Sequence, residues 1–298
     1  MEELILLHNP KAGEEDHDKE MLIKSIENAG FHCTYISLKE RRWKNFRSVS
    51  DILVVAGGDG SVRKVAKYLL SRSLLEKRFM LAILPMGTAN NIAKSLQISI
   101  DWPQSILSWQ KSNLKELDIG SVYNLRGSRF FLEGMGYGLI PRLIKKMDGQ
   151  KMERSLSAEE ELKVALQTLK EIAKTSKAKF TTIRIDKDVV LTGHYLMVEV
   201  MNLPFVGPNL NLAPHADPSD GRFNLVLLAE NKRQRFIDFL DAILMGKQPD
   251  SPCQVILGSH FELKWDGQLV HFDDELIETK RIAKLRIEVR KRVLQFLV

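Results

Sequence analysis

In the first part of this 298-residue chain, short unbroken apolar runs alternate with stretches whose apolar residues recur every three or four positions. Leu4 to Leu7 is one such run. It stops at His8-Asn9-Pro10-Lys11-Ala12-Gly13, and Met21, Leu22, Ile26 and Ala29 then give Asp18 to Ala29 helical spacing before Gly30. This predicts strand, loop, helix. Residues 31 to 38 and Asp51 to Ala56 read as strands, Ser61 to Ser71 as a helix, Phe79 to Leu84 as a strand ending at Pro85, and Ala89 to Leu96 as a helix. Apolar strands alternating with helices make a parallel sheet covered on both faces, a three-layer α/β domain. Ligands of such sheets sit beyond the carboxyl ends of the strands.

After about residue 122 the pattern changes to β-rich, partly alternating segments: Thr181 to Lys187, Val189 to Met201, Phe223 to Leu228, Phe261 to Leu269 and Ala283 to Val289. These predict an antiparallel sandwich or barrel. One long helix, about Ser157 to Lys174, interrupts it and aligns Leu162, Leu166, Leu169, Ile172 and Ala173 on one face. That stripe reads as a packed structural face rather than a membrane-surface one. The expected organisation is an α/β nucleotide-binding domain over 1–122, joined by the C-terminal segment 284–298, and a β-rich antiparallel sandwich over 123–283. Two domains suit this length.

Composition narrows the setting. Cys33 and Cys253 are the two cysteines, far apart and without a CxxC pair, which argues against a disulfide framework or a cysteine zinc site and for a reducing, cytoplasmic compartment. The N-terminus shows no cationic leader, and no apolar run approaches the ~20 residues that cross a bilayer, so membrane contact is expected to be peripheral. A net charge of +6 includes the clusters Lys145-Lys146, Lys280-Arg281 and Arg290-Lys291-Arg292. Nucleic acid is disfavoured, because zinc-finger spacing, an RNA-recognition aromatic pattern and a basic arm are all missing. Anionic lipid headgroups, phosphate-bearing small molecules and a merely solvated surface each remain compatible with the charge, as does a homo-oligomer.

Three loops then fall at one edge of the predicted sheet: Asn9 to Gly13, Gly57-Gly58-Asp59-Gly60-Ser61, and Pro85-Met86-Gly87-Thr88-Ala89-Asn90-Asn91. Glycine lets a backbone approach a ligand closely, and a following helix points unpaired N–H groups at it, so phosphate is the natural occupant. Ser61 and Thr88 add hydroxyl donors, and Asp59 would hold magnesium directly or through water. A lone Gly-Gly-Asp-Gly is also a common turn, and none of the loops has the P-loop or GxGxxG form.

Taken together, NPKAG at 9 to 13, GGDGSVRKVA at 57 to 66, PMGTANNIA at 85 to 93, LNLAPHADPSDGRFNLVLL at 210 to 228 and FDDELIE at 272 to 278 resemble the diacylglycerol kinase catalytic-domain family, which includes bacterial soluble lipid kinases and is remotely related to NAD kinases. The resemblance runs almost end to end. It implies ATP in the cleft, Mg²⁺, and a membrane-derived lipid hydroxyl as acceptor. By position it implies nucleotide contacts from Asn9, Pro10, Lys11, Gly13, Gly57, Gly58, Asp59, Gly60, Ser61, Arg63, Gly87, Thr88 and Asn90, with Ser37 nearby. It also places a structural divalent cation at Asp217, Asp220 and Arg222, held in part through backbone carbonyls, although the two aspartates serve equally well as turn residues around Pro218 and Gly221. The acids Asp273 and Glu275 stand where the family has its DGE motif. In an extended chain they project to one side, and two such close carboxylates disfavour double ionisation, which suits one of them to accept a proton.

Three positions depart from the family pattern: Arg63 for an asparagine, Asn91 for an aspartate and Asp274 for a glycine. Arg63 would bind a phosphate oxygen in place of an amide, and Asn91 weakens any magnesium network. The expected function is an ATP-dependent lipid kinase with Glu275, Asp273 and Asp59 as its catalytic carboxylates. The alternatives are a catalytically weak nucleotide- or lipid-binding protein of the same fold and an enzyme like NAD kinase.

Overall fold

Leu4 to Leu7, Ile52 to Ala56 and Leu81 to Leu84 carry no polar side chain, and they form the buried middle of a parallel sheet. The computed structural model describes residues 2–13, 18–40, 43–44, 50–72, 79–111, 113–125, 129–149, 156–279 and 284–298. The chain divides into one unit of Met1–Leu117 with Arg292–Val298 and a second of Asp118–Lys291.

The first unit runs β1 (Glu2–His8), α1 (Lys19–Asn28), β2 (Phe31–Ser37), β3 (Ile52–Gly57), α2 (Asp59–Leu70), β4 (Met80–Pro85), α3 (Asn91–Ser95) and α4 (Trp102–Ser108). β2, β1, β3 and β4 lie side by side, all parallel, and Gln295 and Phe296 of the last strand extend the sheet beside β4. Leu4, Leu6, Val54, Ala82 and Leu84 meet Leu22 and Ile26 of α1 in one core, so the helical stripe read from the sequence is the face that packs. Two details differ from expectation. The helix placed at Ala89 starts at Asn91, because Asn90 takes a left-handed backbone with φ 53°. The α4 helix was hidden in a stretch of mixed polarity.

β5 (Leu114–Tyr123) follows. The second unit continues with β6 (Arg129–Phe131), β7 (Gly134–Gly138), α5 (Leu139–Gly149), α6 (Ala158–Thr175), β8 (Lys179–Ile185), β9 (Val189–Met201), β10 (Phe205–Val206) and β11 (Leu210–Asn211). Then come β12 (Phe223–Ala229), α7 (Arg233–Leu244), β13 (Gln254–Gly258), β14 (His260–Trp265), β15 (Leu269–Phe272), β16 (Glu275–Glu278) and β17 (Lys284–Leu297). Antiparallel pairing runs β16-β15-β7-β9-β8-β14-β17, with β12 and β13 branching from β9. Val198 and Val200 of β9 face one apolar core with Phe223, Phe261, Leu263 and Phe272. Met197 and Met201 face another, formed with α5, α6 and α7.

The β-rich reading therefore needs two corrections. Three helices cover one face where one was expected, and the strand predicted from Phe261 to Leu269 is broken at 266–268 into β14 and β15. Ser157 caps α6 and Glu160 closes a capping box with it. The cluster Lys280-Arg281 lies outside the described residues, and among those described no helix is long and apolar enough to cross a membrane.

Candidate functional site

The three glycine loops leave the carboxyl ends of β1, β3 and β4, which are adjacent strands, so parallel pairing alone brings them together. Side chains then tie loop to loop. Asn9 Nδ2 donates to Ser61 Oγ at 3.1 Å. The Asp59 carboxylate accepts the backbone N–H groups of Asn91 and Ile92, each at 2.9 Å, so one acid in the first turn of α2 holds the start of α3. Asn90 closes its own loop, its Oδ1 accepting Gly87 N–H at 2.9 Å and its Nδ2 donating to the Gly87 carbonyl at 2.6 Å.

Gly58 and Gly87 have a structural reason of their own. A Cβ on Gly87 would stand 2.4 Å from the Gly58 Cα, so two backbones touch where a side chain on either would part the loops. Ser37 ends β2 at the same edge, in register with His8. Thr88 is half-buried in the third loop, Gly13 has φ 61° in the first, and Arg63 is buried on α2. Lys94 of α3 escaped the sequence reading. Burial lowers its ammonium below the ordinary lysine range, while the Asp59 charge works against that shift. A cation three residues after the GTANN segment, within the short helix that starts there, was the available signal.

In the second unit the acidic stretch is not an extended strand. Asp273 and Asp274 are the two-residue turn between β15 and β16, and Asp273 has φ 54°. The same-side pairing of Asp273 with Glu275 is thereby corrected, since the alternation of side chains stops at a turn. Asp273 is buried, and its carboxylate accepts the N–H groups of Leu132, Glu133 and Gly134 at 2.8 to 3.2 Å. It is an anchor for the 132–134 segment. Glu275, half-buried at the start of β16, meets Arg129 Nη1 at 2.5 Å.

Residues 3–122 match the family model for the diacylglycerol kinase catalytic domain, and residues 146–295 match the model described as the YegS C-terminal NAD kinase beta sandwich-like domain. The chain belongs to the diacylglycerol kinase catalytic-domain family. It is 25% identical over 266 residues to the diacylglycerol kinase of Bacillus subtilis (strain 168), a match covering 81% of this chain and 78% of that one. A solved structure of a diacylglycerol kinase from Bacillus anthracis str. Sterne superposes with a TM-score of 0.71 at 20% identity, covering 99% of this chain and 96% of that chain. That likeness is one of fold.

Against this diacylglycerol kinase fold, the residues expected to hold a structural cation have another occupation. Asp217 Oδ1 accepts Ser219 N–H at 2.9 Å and Ser219 Oγ at 2.7 Å, and Asp220 Oδ1 accepts Arg222 N–H at 2.7 Å. Each aspartate closes a local turn. The loop is fastened instead by buried Asp118, whose N–H donates to the Pro218 carbonyl and whose Oδ2 accepts Gly221 N–H, both at 2.7 Å. Among the described residues no three His, Cys, Asp or Glu side chains form a group able to hold a metal. The donor set at 217, 220 and 222 does not fit a cation held by side chains alone. Burial pushes both thiols, Cys33 and Cys253, up to about 12, which removes them as nucleophiles.

A buried pair in this unit also went unseen in the sequence. His271 Nε2 lies 2.7 Å from Glu199 Oε2, and both side chains are fully buried. Burial raises the Glu199 carboxyl, opposed by His271. Burial also works to lower His271, but the Glu199 charge, its hydrogen bond and the Asp273 carbonyl outweigh it, so His271 is raised. The folded pair keeps its proton to higher pH than the unfolded chain does. Its contribution to stability is complete below the ordinary histidine range and falls as pH rises through the raised values. Urea unfolding from pH 6 upward should therefore show a loss of stability that Glu199→Gln reduces; parallel pH curves for the two proteins would refute this assignment.

Proposed function

We propose that this protein is an ATP-dependent lipid kinase that transfers the γ-phosphoryl group of ATP to the hydroxyl of a diacylglycerol-like lipid. The observation that carries the reading is the set of three loops at the ends of β1, β3 and β4, joined by Asn9–Ser61 and by Asp59 to α3, in a chain of the diacylglycerol kinase family. Preorganised N–H groups and cations suit an anionic polyphosphate, whose transfer depends on positioning and charge stabilisation. Asn9 to Gly13, Gly57 to Ser61, Arg63, Gly87, Thr88 and Asn90 are proposed to line the nucleotide, with Ser37 beside it and Lys94 added as a nearby cation. Magnesium would neutralise developing phosphate charge, and Asp59 is proposed as the carboxylate of these loops that would hold it.

In the proposed reaction the lipid oxygen bonds to the γ-phosphorus and the bond to the β,γ-bridging oxygen breaks. ADP leaves, and the hydroxyl proton passes to Glu275. Asp273 is proposed to hold the turn rather than take the proton. Exposed Arg290 and Lys291 on β17 would favour an anionic membrane surface, each contributing ~1 kcal/mol near it. Sedimentation with anionic vesicles that vanishes at high salt is expected; equal sedimentation with neutral vesicles would exclude this electrostatic account.

Purified protein with Mg²⁺ and γ-phosphate-labelled ATP, offered diacylglycerol, phosphatidylglycerol, a sphingoid base, an isoprenoid alcohol and NAD in parallel, tests the function. Label in extracted lipid is expected. Label in NAD alone would make the chain an NAD kinase. Asn91, an amide where the family pattern has an acid, favours a second reading, in which nucleotide binds and no acceptor is labelled.

A further inference from the structure

Glu199 lies on the face of β9 that also carries Met197 and Met201, against α5, α6 and α7, and its antiparallel neighbour on β12 is Val226. An acid in that apolar layer needs a purpose. It reaches His271 because the strand between them is bare: Gly136 on β7 is in register with both residues, and a Cβ there would stand 2.2 Å from Glu199 Oε2. The histidine's other nitrogen, Nδ1, is 2.8 Å from the Asp273 carbonyl. A carbonyl can only accept, so Nδ1 carries a hydrogen. Nε2 and the Glu199 carboxyl then share one further proton.

We infer that Glu199 and His271 are positioning residues that fix the 273–274 turn and thereby aim Glu275, an inference that rests on the proposed role of Glu275. Asp273 is held at every polar atom. Its N–H donates to the Gly134 carbonyl at 2.8 Å, its carboxylate accepts three amides of 132–134, and its carbonyl accepts His271 Nδ1–H. The segment gripped this way directly follows β6, whose first residue, Arg129, is the ion-pair partner of Glu275. One segment is thus clamped from both sides of the turn. A left-handed backbone at a non-glycine residue persists only where its surroundings over-determine it, and the histidine bond to the Asp273 carbonyl is part of that surround. Stability alone does not call for the pair, because a well-packed apolar pair in a buried layer is commonly as stable as an ionisable one.

The test replaces the pair by apolar residues, Glu199→Leu with His271→Phe, in the full chain. Stability should be retained. The kcat for lipid phosphorylation should fall about tenfold or more with the KM for ATP unchanged, since small misplacements of a reacting group cost that much. Glu199→Gln, whose amide can still donate to Nε2, should keep most of the activity. If the double variant does not fold, His271→Gln decides: its amide takes the place of Nε2 toward Glu199 but gives the Asp273 carbonyl no donor, so the same loss of kcat is expected. Hydrogen exchange gives a readout independent of catalysis. In either variant the amides of Leu132, Glu133, Gly134 and Asp273 should exchange about tenfold faster while the remaining strands of that unit do not change. Wild-type kcat, or unchanged exchange at these amides, overturns the inference. Should the wild-type protein phosphorylate no acceptor, the kinase reading fails by itself, and exchange alone then decides whether the pair holds the turn.

Discussion

Glu275→Gln is expected to lower kcat for lipid phosphorylation about 100-fold or more at saturating ATP, the size of losing a general base, with the KM for ATP nearly unchanged. Glutamine keeps the length of the side chain, and its carbonyl oxygen can still accept from Arg129 Nη1, which meets Glu275 Oε1 in the native protein. The turn and β16 should therefore stay as they are. What goes is the capacity to take the proton of the acceptor hydroxyl as its oxygen attacks phosphorus. Asp274→Gly serves as the control. Asp274 is the second residue of the turn, where glycine is permitted, and this variant should retain or raise kcat. A Glu275→Gln enzyme with native kcat would remove Glu275 from the mechanism, and a rise in KM with unchanged kcat would move it into ground-state binding.

How far the sequence revealed this protein depended on the range of the interaction. The parallel sheet was legible because Leu4 to Leu7, Ile52 to Ala56 and Leu81 to Leu84 are apolar throughout and separated by helical stripes, a signal contained within each segment. The placement of the glycine loops followed from it, since the ends of adjacent parallel strands must share an edge. The helices α5 and α7 were obscured by β-like neighbours and by their own charges, Lys145 and Lys146 in one and Arg233 and Arg235 in the other. The acid turn was misjudged for another reason. Alternation says where two side chains point only while the chain stays extended, and the hairpin pairing of β15 with β16 decided otherwise. The Glu199–His271 pair joins residues 72 positions apart, and composition leaves no trace of that contact. One sign was present in Gly134-Met135-Gly136-Tyr137-Gly138, where glycine at every second position strips one face of a strand and marks a close approach from its neighbours.

Asp59→Ala is expected to destabilise the first unit as well as abolish turnover. The sequence presents Asp59 as a bare acid between two glycines, placed to hold magnesium and with no structural partner. In the structure both of its oxygens accept backbone amides, from Asn91 and Ile92, at the start of α3. Alanine leaves both N–H groups without their acceptor. Bonds to a charged acceptor contribute about 1.5–3 kcal/mol each, and water reaching this half-buried position recovers part, so a loss of about 3 kcal/mol in urea unfolding is expected. Asp59→Asn separates the cap from the charge. Its single carbonyl oxygen can accept one amide while its NH₂ opposes the other, so about half the stability should return. Turnover should not return, because the site then lacks the carboxylate proposed to meet magnesium. Lys94 reports on the same change from the other side. Burial already lowers its ammonium and Asp59 resists that shift, so removing the carboxylate should lower it further. Stability of Asp59→Ala equal to the native protein would refute the capping role, and full turnover by Asp59→Asn would show that the negative charge at 59 is not used in the chemistry.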